Sequence, residues 1–306
     1  MPESIKQARA QLEQYFNRLS LPEHHRKYHV SGLTPAEQFE YLARLQTYSL
    51  ASIPFENLSL HYSPHRQVTL DPDELFRKQV ENPGRGGYCM ENNLVFNIVL
   101  RSLGFNLYSA GARVNEDGRY SGWSHMINLV TIGEHKYFVD VGFGPNGSIR
   151  PLRLDHDGQI IAHIAPASSR LVWKNIEPNT DPNQRLWVYQ HRNDDDHDWK
   201  DMYCFTELEF TTADYQMMNY YTSTNSKTFF TYKIICAKMI LGEDEELAGV
   251  VILQQEDLKW RFNGKTETQL KLKNEQERVE KLRDVFGISL KPSEQNGIRG
   301  LVTELR

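Results

Sequence analysis

The sequence predicts an α+β protein, with helices first, antiparallel strands second and a mixed segment last. Three observations carry that reading. Helix-start signals and helical apolar spacing dominate the first stretch, the period changes near residue 105, and a capped helix follows further strands before residue 290. The order divides the chain into residues 1–104, 105–206 and 207–306, with no internal repeat and no low-complexity linker.

The helical region has two matching starts. Thr34-Pro35-Ala36-Glu37 is a capping box with proline at the first helical position, followed by Phe39, Leu42 and Leu45 at helical spacing. Asp71-Pro72-Asp73-Glu74 repeats the signal ahead of Leu75, Phe76 and Val80. A third helix starts near Cys89, presents Phe96, Val99, Leu100 and Leu103, and stops at Gly104. From there Leu107 to Val114, His125 to Ile132 and Lys136 to Val141 read as strands. Leu171-Val172-Trp173 and Leu186 to Tyr189 add two more, for an antiparallel barrel or sandwich. The segment His191 to Lys200, rich in Asp and Asn, reads as an exposed loop. Its His191 and His197 flank Asp194, Asp195 and Asp196, where a solvated acidic loop is favoured over a metal site. Phe229 to Leu241 and Ala248 to Leu253 read as strands. Asn274 caps a last helix through Val279, Leu282 and Val285-Phe286 to Gly287.

Composition narrows the function. With 39% hydrophobic, 25% charged and 11% aromatic residues, the chain has enough apolar content for a real core. Net charge is −5 with acids and bases interleaved, so no basic stripe argues for nucleic acid, although Arg113 and Arg119 are placed to serve a small anionic ligand. No window approaches the length of a membrane span. Met1-Pro2-Glu3-Ser4 leads into a polar helical stretch rather than an apolar signal core. The three cysteines, Cys89, Cys204 and Cys236, are far apart and odd in number. They suggest neither a disulfide framework nor a zinc site, and they fit a reducing compartment, with the cytoplasm as the expected location. Cys204 and Cys236 read as packed core thiols.

The most informative stretch is Arg85-Gly86-Gly87-Tyr88-Cys89-Met90-Glu91-Asn92-Asn93. A thiol in the first turn of a helix faces unpaired N–H groups and the positive end of the helix dipole, which favour the nucleophilic thiolate. Ser124-His125-Met126 and Val139-Asp140-Val141-Gly142-Phe143-Gly144 follow. Cysteine, histidine and aspartate in that order supply a nucleophile, a base and an orienting group. A two-residue turn at Gly133-Glu134 pairs Ile127 with Asp140. His125 then becomes a diagonal neighbour of Asp140 on one sheet face, roughly 7–8 Å between backbones. A turn longer by one residue puts the two on opposite faces. The spacing therefore permits the pair without requiring it. Taken singly, each residue also fits a buried thiol, a core histidine or a turn aspartate; their conjunction with the glycine-rich approach points to chemistry. Arg85 and Glu91 are expected to brace the cysteine loop. Gly142 to Gly147 is no Walker loop, but its backbone N–H groups are candidates for a phosphate.

These residues resemble the arylamine N-acetyltransferases. The likeness extends to Ile53-Pro54-Phe55-Glu56-Asn57-Leu58 and to Asn219-Tyr220-Tyr221-Thr222-Ser223-Thr224, and so spans residues 53 to about 230. Asn92 stands where that family usually has Gln, and the last dozen residues match nothing. The resemblance implies a helical bundle, a β-barrel and an α/β lid around a cysteine-proteinase-like core, with Cys89, His125 and Asp140 as triad. It implies a ping-pong cycle in which acetyl-CoA or malonyl-CoA acylates Cys89 and an aromatic amine or hydrazine takes the acyl group, without metal. It places Ser121, Gly122, Tyr221 and Lys227 near coenzyme A, and Ser124 and Phe143 at the acceptor. The rival reading is a Cys–His–Asp hydrolase of peptidase or transglutaminase type, which needs no coenzyme A.

Overall fold

The structure, a computed structural model, describes residues 9–82 and 84–306, so the reading of Met1-Pro2-Glu3-Ser4 lies outside the described residues. Helix α1 (Arg9–Arg18) buries Leu12, Tyr15 and Phe16. Helix α2 (Pro35–Ser52) begins as its capping box dictates: Thr34 Oγ1 accepts from the Glu37 N–H at 3.3 Å and Glu37 Oε2 accepts from the Thr34 N–H at 2.8 Å. A two-residue strand β1 (Phe55–Glu56) and a short helix α3 (Ser59–Tyr62) follow. Helix α4 (Pro72–Phe76) is capped by Asp71, whose Oδ1 accepts from the N–H groups of Asp73 and Glu74, and it widens into a π-type turn over Arg77–Glu81. Helix α5 (Cys89–Ser102) starts at the cysteine itself, and Gly104 beyond its end takes φ +89°.

Nine strands form the larger sheet, all antiparallel. They are β2 (Asn106–Glu116), β3 (Arg119–Tyr120), β4 (His125–Ile132), β5 (His135–Val139), β6 (Leu152–Arg153), β7 (Ile161–Ala162), β8 (Ser168–Lys174), β9 (Leu186–Arg192) and β10 (Lys200–Glu209). Their order is β6-β5-β4-β2-β10-β9-β8-β7, with β3 pairing β2. The sheet is not closed, since β6 and β7 stand at its ends. It is strongly curled, because Phe138 of β5 reaches Tyr189 of β9 across the interior at 5.9 Å between ring centroids. One buried cluster gathers Ala110, Ile127, Leu129, Phe138, Leu171, Trp187, Tyr203 and Phe205. The expected barrel is thus an open half-barrel whose concave face packs on itself.

The remaining elements are helix α6 (Thr212–Thr224), the helical turn α7 (Phe229–Tyr232), strands β11 (Ile235–Leu241), β12 (Leu247–Gln254), β13 (Asp257–Phe262) and β14 (Lys265–Lys271), and helices α8 (Glu275–Phe286) and α9 (Pro292–Gly297). The second sheet runs β1-β11-β12-β13-β14, so the helical region lends it an edge strand.

Two expectations need correction. Phe229 to Leu241 is a helical turn followed by a strand, because Phe229, Phe230 and Tyr232 fold back as a ring cluster. His191 and Arg192 continue β9, with His191 buried against His163, and Lys200 opens β10; only the residues between them loop.

The last residues dock firmly. Arg278 is fully buried on α8, donates to the Thr303 carbonyl at 2.7 Å and pairs with Glu275, whose own N–H donates to the Leu305 carbonyl at 3.1 Å. Arg278→Ala should cost about 3–5 kcal/mol, because partners of a buried charge are left unpaired. Urea unfolding checks this; an unchanged midpoint would mean that Ile298 and Leu305 hold the segment by apolar contact alone.

Candidate active site

The cysteine loop is built by close approach. A Cβ on Gly86 would lie 1.9 Å from the Pro54 carbonyl oxygen, and one on Gly87 would lie 2.5 Å from Glu91 Oε2. Only glycine lets the loop fold this tightly. Beneath it sits a cluster of charges. Glu56 Oε1 accepts from Arg85 Nε at 3.0 Å, and Glu56 Oε2 accepts from the Leu58 N–H at 2.6 Å. Lys78 lies 2.7 Å from Glu91 Oε1 and 3.7 Å from Glu56 Oε1, while Glu91 Oε2 accepts from the Tyr88 N–H at 3.0 Å. Burial pushes the Glu56 carboxyl up, but Arg85 and Lys78 win and bring it down to about 2. For Glu91 burial prevails over Lys78, and its pKa is raised. Arg85 and Glu91 therefore brace the loop, as their positions suggested.

The resulting geometry brings three reactive groups together. The two-residue turn holds: Ile132 pairs with His135 and Asn128 with Val139. Asp140, the first residue past β5, accepts from His125 Nε2 on its Oδ2 at 2.7 Å. The Cys89 thiol donates to the Ser124 carbonyl oxygen at 3.6 Å and lies close enough to the imidazole to raise its proton affinity. Burial lowers the proton affinity of His125, but the charge and hydrogen bond of Asp140, with help from Cys89, raise its pKa to about 10. Cys89, His125 and Asp140 are 3%, 2% and 1% exposed, so the cluster is shielded from bulk water.

Asp140 is fixed from every side. Its Oδ2 also accepts from the Tyr203 hydroxyl at 2.7 Å, and its Oδ1 accepts from Asn93 Nδ2 and from the Gly142 N–H, each at 2.8 Å. Burial raises its pKa, but His125 and these donors outweigh it and the net shift is downward. The sequence reading missed Asn93 and Tyr203. Asn93 left a signal: Cys89, Asn93 and Asn97 recur every fourth residue and form a polar stripe along one buried face of the helix. Asn93 Nδ2 also donates to the Met126 carbonyl at 2.7 Å, its Oδ1 accepts from the Val141 N–H at 3.0 Å, and Asn97 donates to Asn128 at 2.7 Å. The stripe clamps α5 to β4 and to the aspartate loop. Tyr203 gave no such signal.

Among the other expected site residues, Phe143 is half-buried, with its ring 5.4 Å from His125 and 4.6 Å from Tyr203. Ser121 and Ser124 share a hydroxyl contact of 2.7 Å. Gly122 is exposed, and a Cβ there would meet nothing within 4 Å. Tyr221 on α6 is 58% exposed, and Lys227 is exposed in the turn after that helix; neither touches the triad. The Gly142 and Gly147 N–H groups are spent on Asp140 and on the Gly144 carbonyl, so neither is free for phosphate. Asn92, at the atypical position, accepts from Gln79 at 2.9 Å and donates to the Pro54 carbonyl at 3.2 Å. Cys204 and Cys236 are fully buried, and burial raises the pKa of both. No helix among the described residues is long and apolar enough to cross a membrane.

Known proteins share this arrangement of chain. A family model described as N-acetyltransferase matches residues 38–295. N-malonyltransferase FDB2 of Gibberella moniliformis is 35% identical over 96% of this chain and 92% of its own. Arylamine N-acetyltransferase 2 of Mesocricetus auratus is 28% identical over 91% of this chain and 94% of its own. The structure of Mycobacterium marinum arylamine N-acetyltransferase in complex with CoA superposes with a TM-score of 0.75 at 24% identity, covering 95% of this chain and 99% of that one.

The buried charge cluster makes stability depend on pH. Glu56 has a folded pKa below its ordinary value of 4.5, so its contribution is fully present above that value and is lost as pH falls towards about 2. Glu56→Gln should therefore lower the melting temperature strongly at pH 6 and by less at pH 3. A gap that stays constant between the two would mean that the Glu56 charge is not what stabilises the loop.

Proposed function

The chain belongs to the arylamine N-acetyltransferase family and is an acyltransferase, and from that premise we propose that it moves an acetyl or malonyl group from coenzyme A to an aromatic amine or hydrazine through an acyl-Cys89 intermediate. The observation that carries the reading is His125, held by Asp140 at 2.7 Å and close enough to the Cys89 thiol for the two to influence each other's proton.

In the first half-reaction the Cys89 thiolate attacks the thioester carbonyl carbon. The tetrahedral adduct expels coenzyme A as its thiolate, which takes the proton from the His125 imidazolium. In the second half the amine attacks the acyl-cysteine. His125, now neutral, accepts the amine proton as the Cys89 thiolate leaves, which restores the starting pair. Asp140 holds the imidazole in the orientation that both transfers need and stabilises its cationic form. Ser124 and Phe143 border the acceptor, and Phe143 offers a ring for an aromatic amine to pack against. The coenzyme approaches along Ser121 and Gly122, with Tyr221 and Lys227 on the facing C-terminal lid. Shielding of the triad from bulk water favours amine over water as the second nucleophile, which separates this chemistry from the hydrolytic reading.

Cys89→Ala should abolish transfer while keeping the fold. Wild type mixed with acyl-CoA alone should gain one acyl mass on the peptide carrying Cys89. The same mass on Cys204 or Cys236, or turnover in the alanine variant, would disprove the nucleophile. Turnover that ignores coenzyme A would favour the hydrolase.

Gly122→Trp should fill the open space at the turn and slow acylation by acyl-CoA at least tenfold, while iodoacetamide still alkylates Cys89. Equal losses in both reactions would mean damage to the triad, and no loss in either would put the coenzyme elsewhere.

A further inference from the structure

Among the described residues, Arg113 is a cation on the strand beside His125 with no carboxylate partner. It lies on β2 next to Ala112, the residue paired with His125. The turn Ser121-Gly122-Trp123-Ser124 is tied to β2 on both sides of it. The Ser124 N–H donates to the Ala112 carbonyl at 3.0 Å, and the Ser121 N–H donates to the Val114 carbonyl at 2.8 Å. Ser121 Oγ in return accepts from the Val114 N–H at 3.0 Å. Arg113 therefore sits midway along the turn whose Ser124 carbonyl faces the Cys89 thiol at 3.6 Å.

Its side chain meets the lining of that site through Trp123. The guanidinium stacks 4.4 Å above the Trp123 ring, and Trp123 packs against the apolar cluster that contains Cys89, Met126 and Phe210. Stacking uses the face of the guanidinium and leaves its in-plane N–H groups unengaged. Arg113 Nε is buried without a hydrogen-bond partner, and among the described residues no carboxylate pairs with this arginine. The acid on the adjacent strand, Asp201, is already committed to Tyr120, Lys174 and Gln190. A buried donor without an acceptor is costly, and a planar fork of donors matches a carboxylate.

We propose that Arg113 receives the free carboxylate of a short dicarboxylic acyl group, malonyl being the smallest, as that group is delivered to Cys89. The proposal rests on the acyl-transfer reading above and adds to it the residue that selects the donor. Neutral acetyl leaves the arginine unsatisfied, whereas malonyl completes it. The acyl chain is the favoured source of the carboxylate because Arg113 borders the turn along which the coenzyme enters. Phe143 lines the acceptor side, against His125 and Tyr203.

The test compares wild type, Arg113→Gln and Arg113→Lys. CoA release is measured from malonyl-CoA and from acetyl-CoA with an uncharged arylamine, and again with an aminobenzoate. Intact-protein mass follows acylation of Cys89 without acceptor, and iodoacetamide alkylation with the melting temperature checks that the site survives. In Arg113→Gln the ratio of kcat/KM for malonyl-CoA over acetyl-CoA should fall about 10- to 100-fold, the range for losing a hydrogen bond to a charged group. Arg113→Lys should recover part of that ratio. A ratio unchanged within about twofold, with both donors slowed alike, would overturn the proposal and assign Arg113 to the coenzyme phosphates or to packing. A loss confined to the aminobenzoate acceptor would also overturn it, placing the carboxylate on the amine. Acylation of wild-type Cys89 by acetyl-CoA but not by malonyl-CoA would refute the donor assignment and leave the acyl-transfer reading intact, whereas no acylation by either donor would refute that reading itself.

Discussion

The active region depends on keeping a carboxylate ionised where there is almost no water. Asp140 is 1% exposed, and an unpaired charge at such a depth would take up a proton rather than stay ionised. Four donors prevent that, and they come from four parts of the chain: the helix of Cys89, the strand of His125, the strand of Tyr203 and the loop that follows Asp140 itself. Satisfying one carboxylate therefore fixes how the helical region sits on the curled sheet. The same donors orient the imidazole. Architecture and chemistry meet at a single side chain, and anything that loosens one loosens the other.

A second ionic group serves the loop rather than the reaction. Glu56, Lys78, Arg85 and Glu91 place two acids and two bases beneath the glycines, with Glu56 on the edge strand of the second sheet. Helix α5 is thus held at its start by charge and along its length by amides. Apolar packing alone would let the helix slide along the sheet. The asparagine stripe sets its register because each amide has its own partner on β4 or the aspartate loop.

Features encoded locally were legible in the sequence. The helix starts at Thr34, Asp71 and Cys89 follow from short-range capping and loop chemistry. The hairpin from His125 to Asp140 follows from the two-residue turn, and with it the approach of imidazole to carboxylate. Features set by distant partners were not legible. Tyr203 reaches Asp140 because β10 lies beside β2 in the sheet order, which no local pattern reveals. The open curl depends on rings meeting across strands that are not neighbours. β10 itself hid behind a polar loop, and residues 229–232 have strand-like composition but turn as a helix to pack their rings. Asn93 was readable in principle, since a polar residue one turn after Cys89 on a buried face calls for a partner.

The hairpin at Gly133-Glu134 has a further consequence for how this chain tolerates change. Gly133 has φ +59°, and a side chain there would meet only ordinary contacts with Pro35. Any L side chain there bears the strain of a left-handed backbone, but a change of length reaches further. Side chains alternate faces along β4 and β5, so one added residue shifts the parity of everything after it and turns the carboxylate away from the imidazole. Two added residues, one to each strand, lengthen the hairpin and preserve the pairing. Insertions here, whether arising by drift or placed as an engineered graft, are compatible with the site only in even numbers.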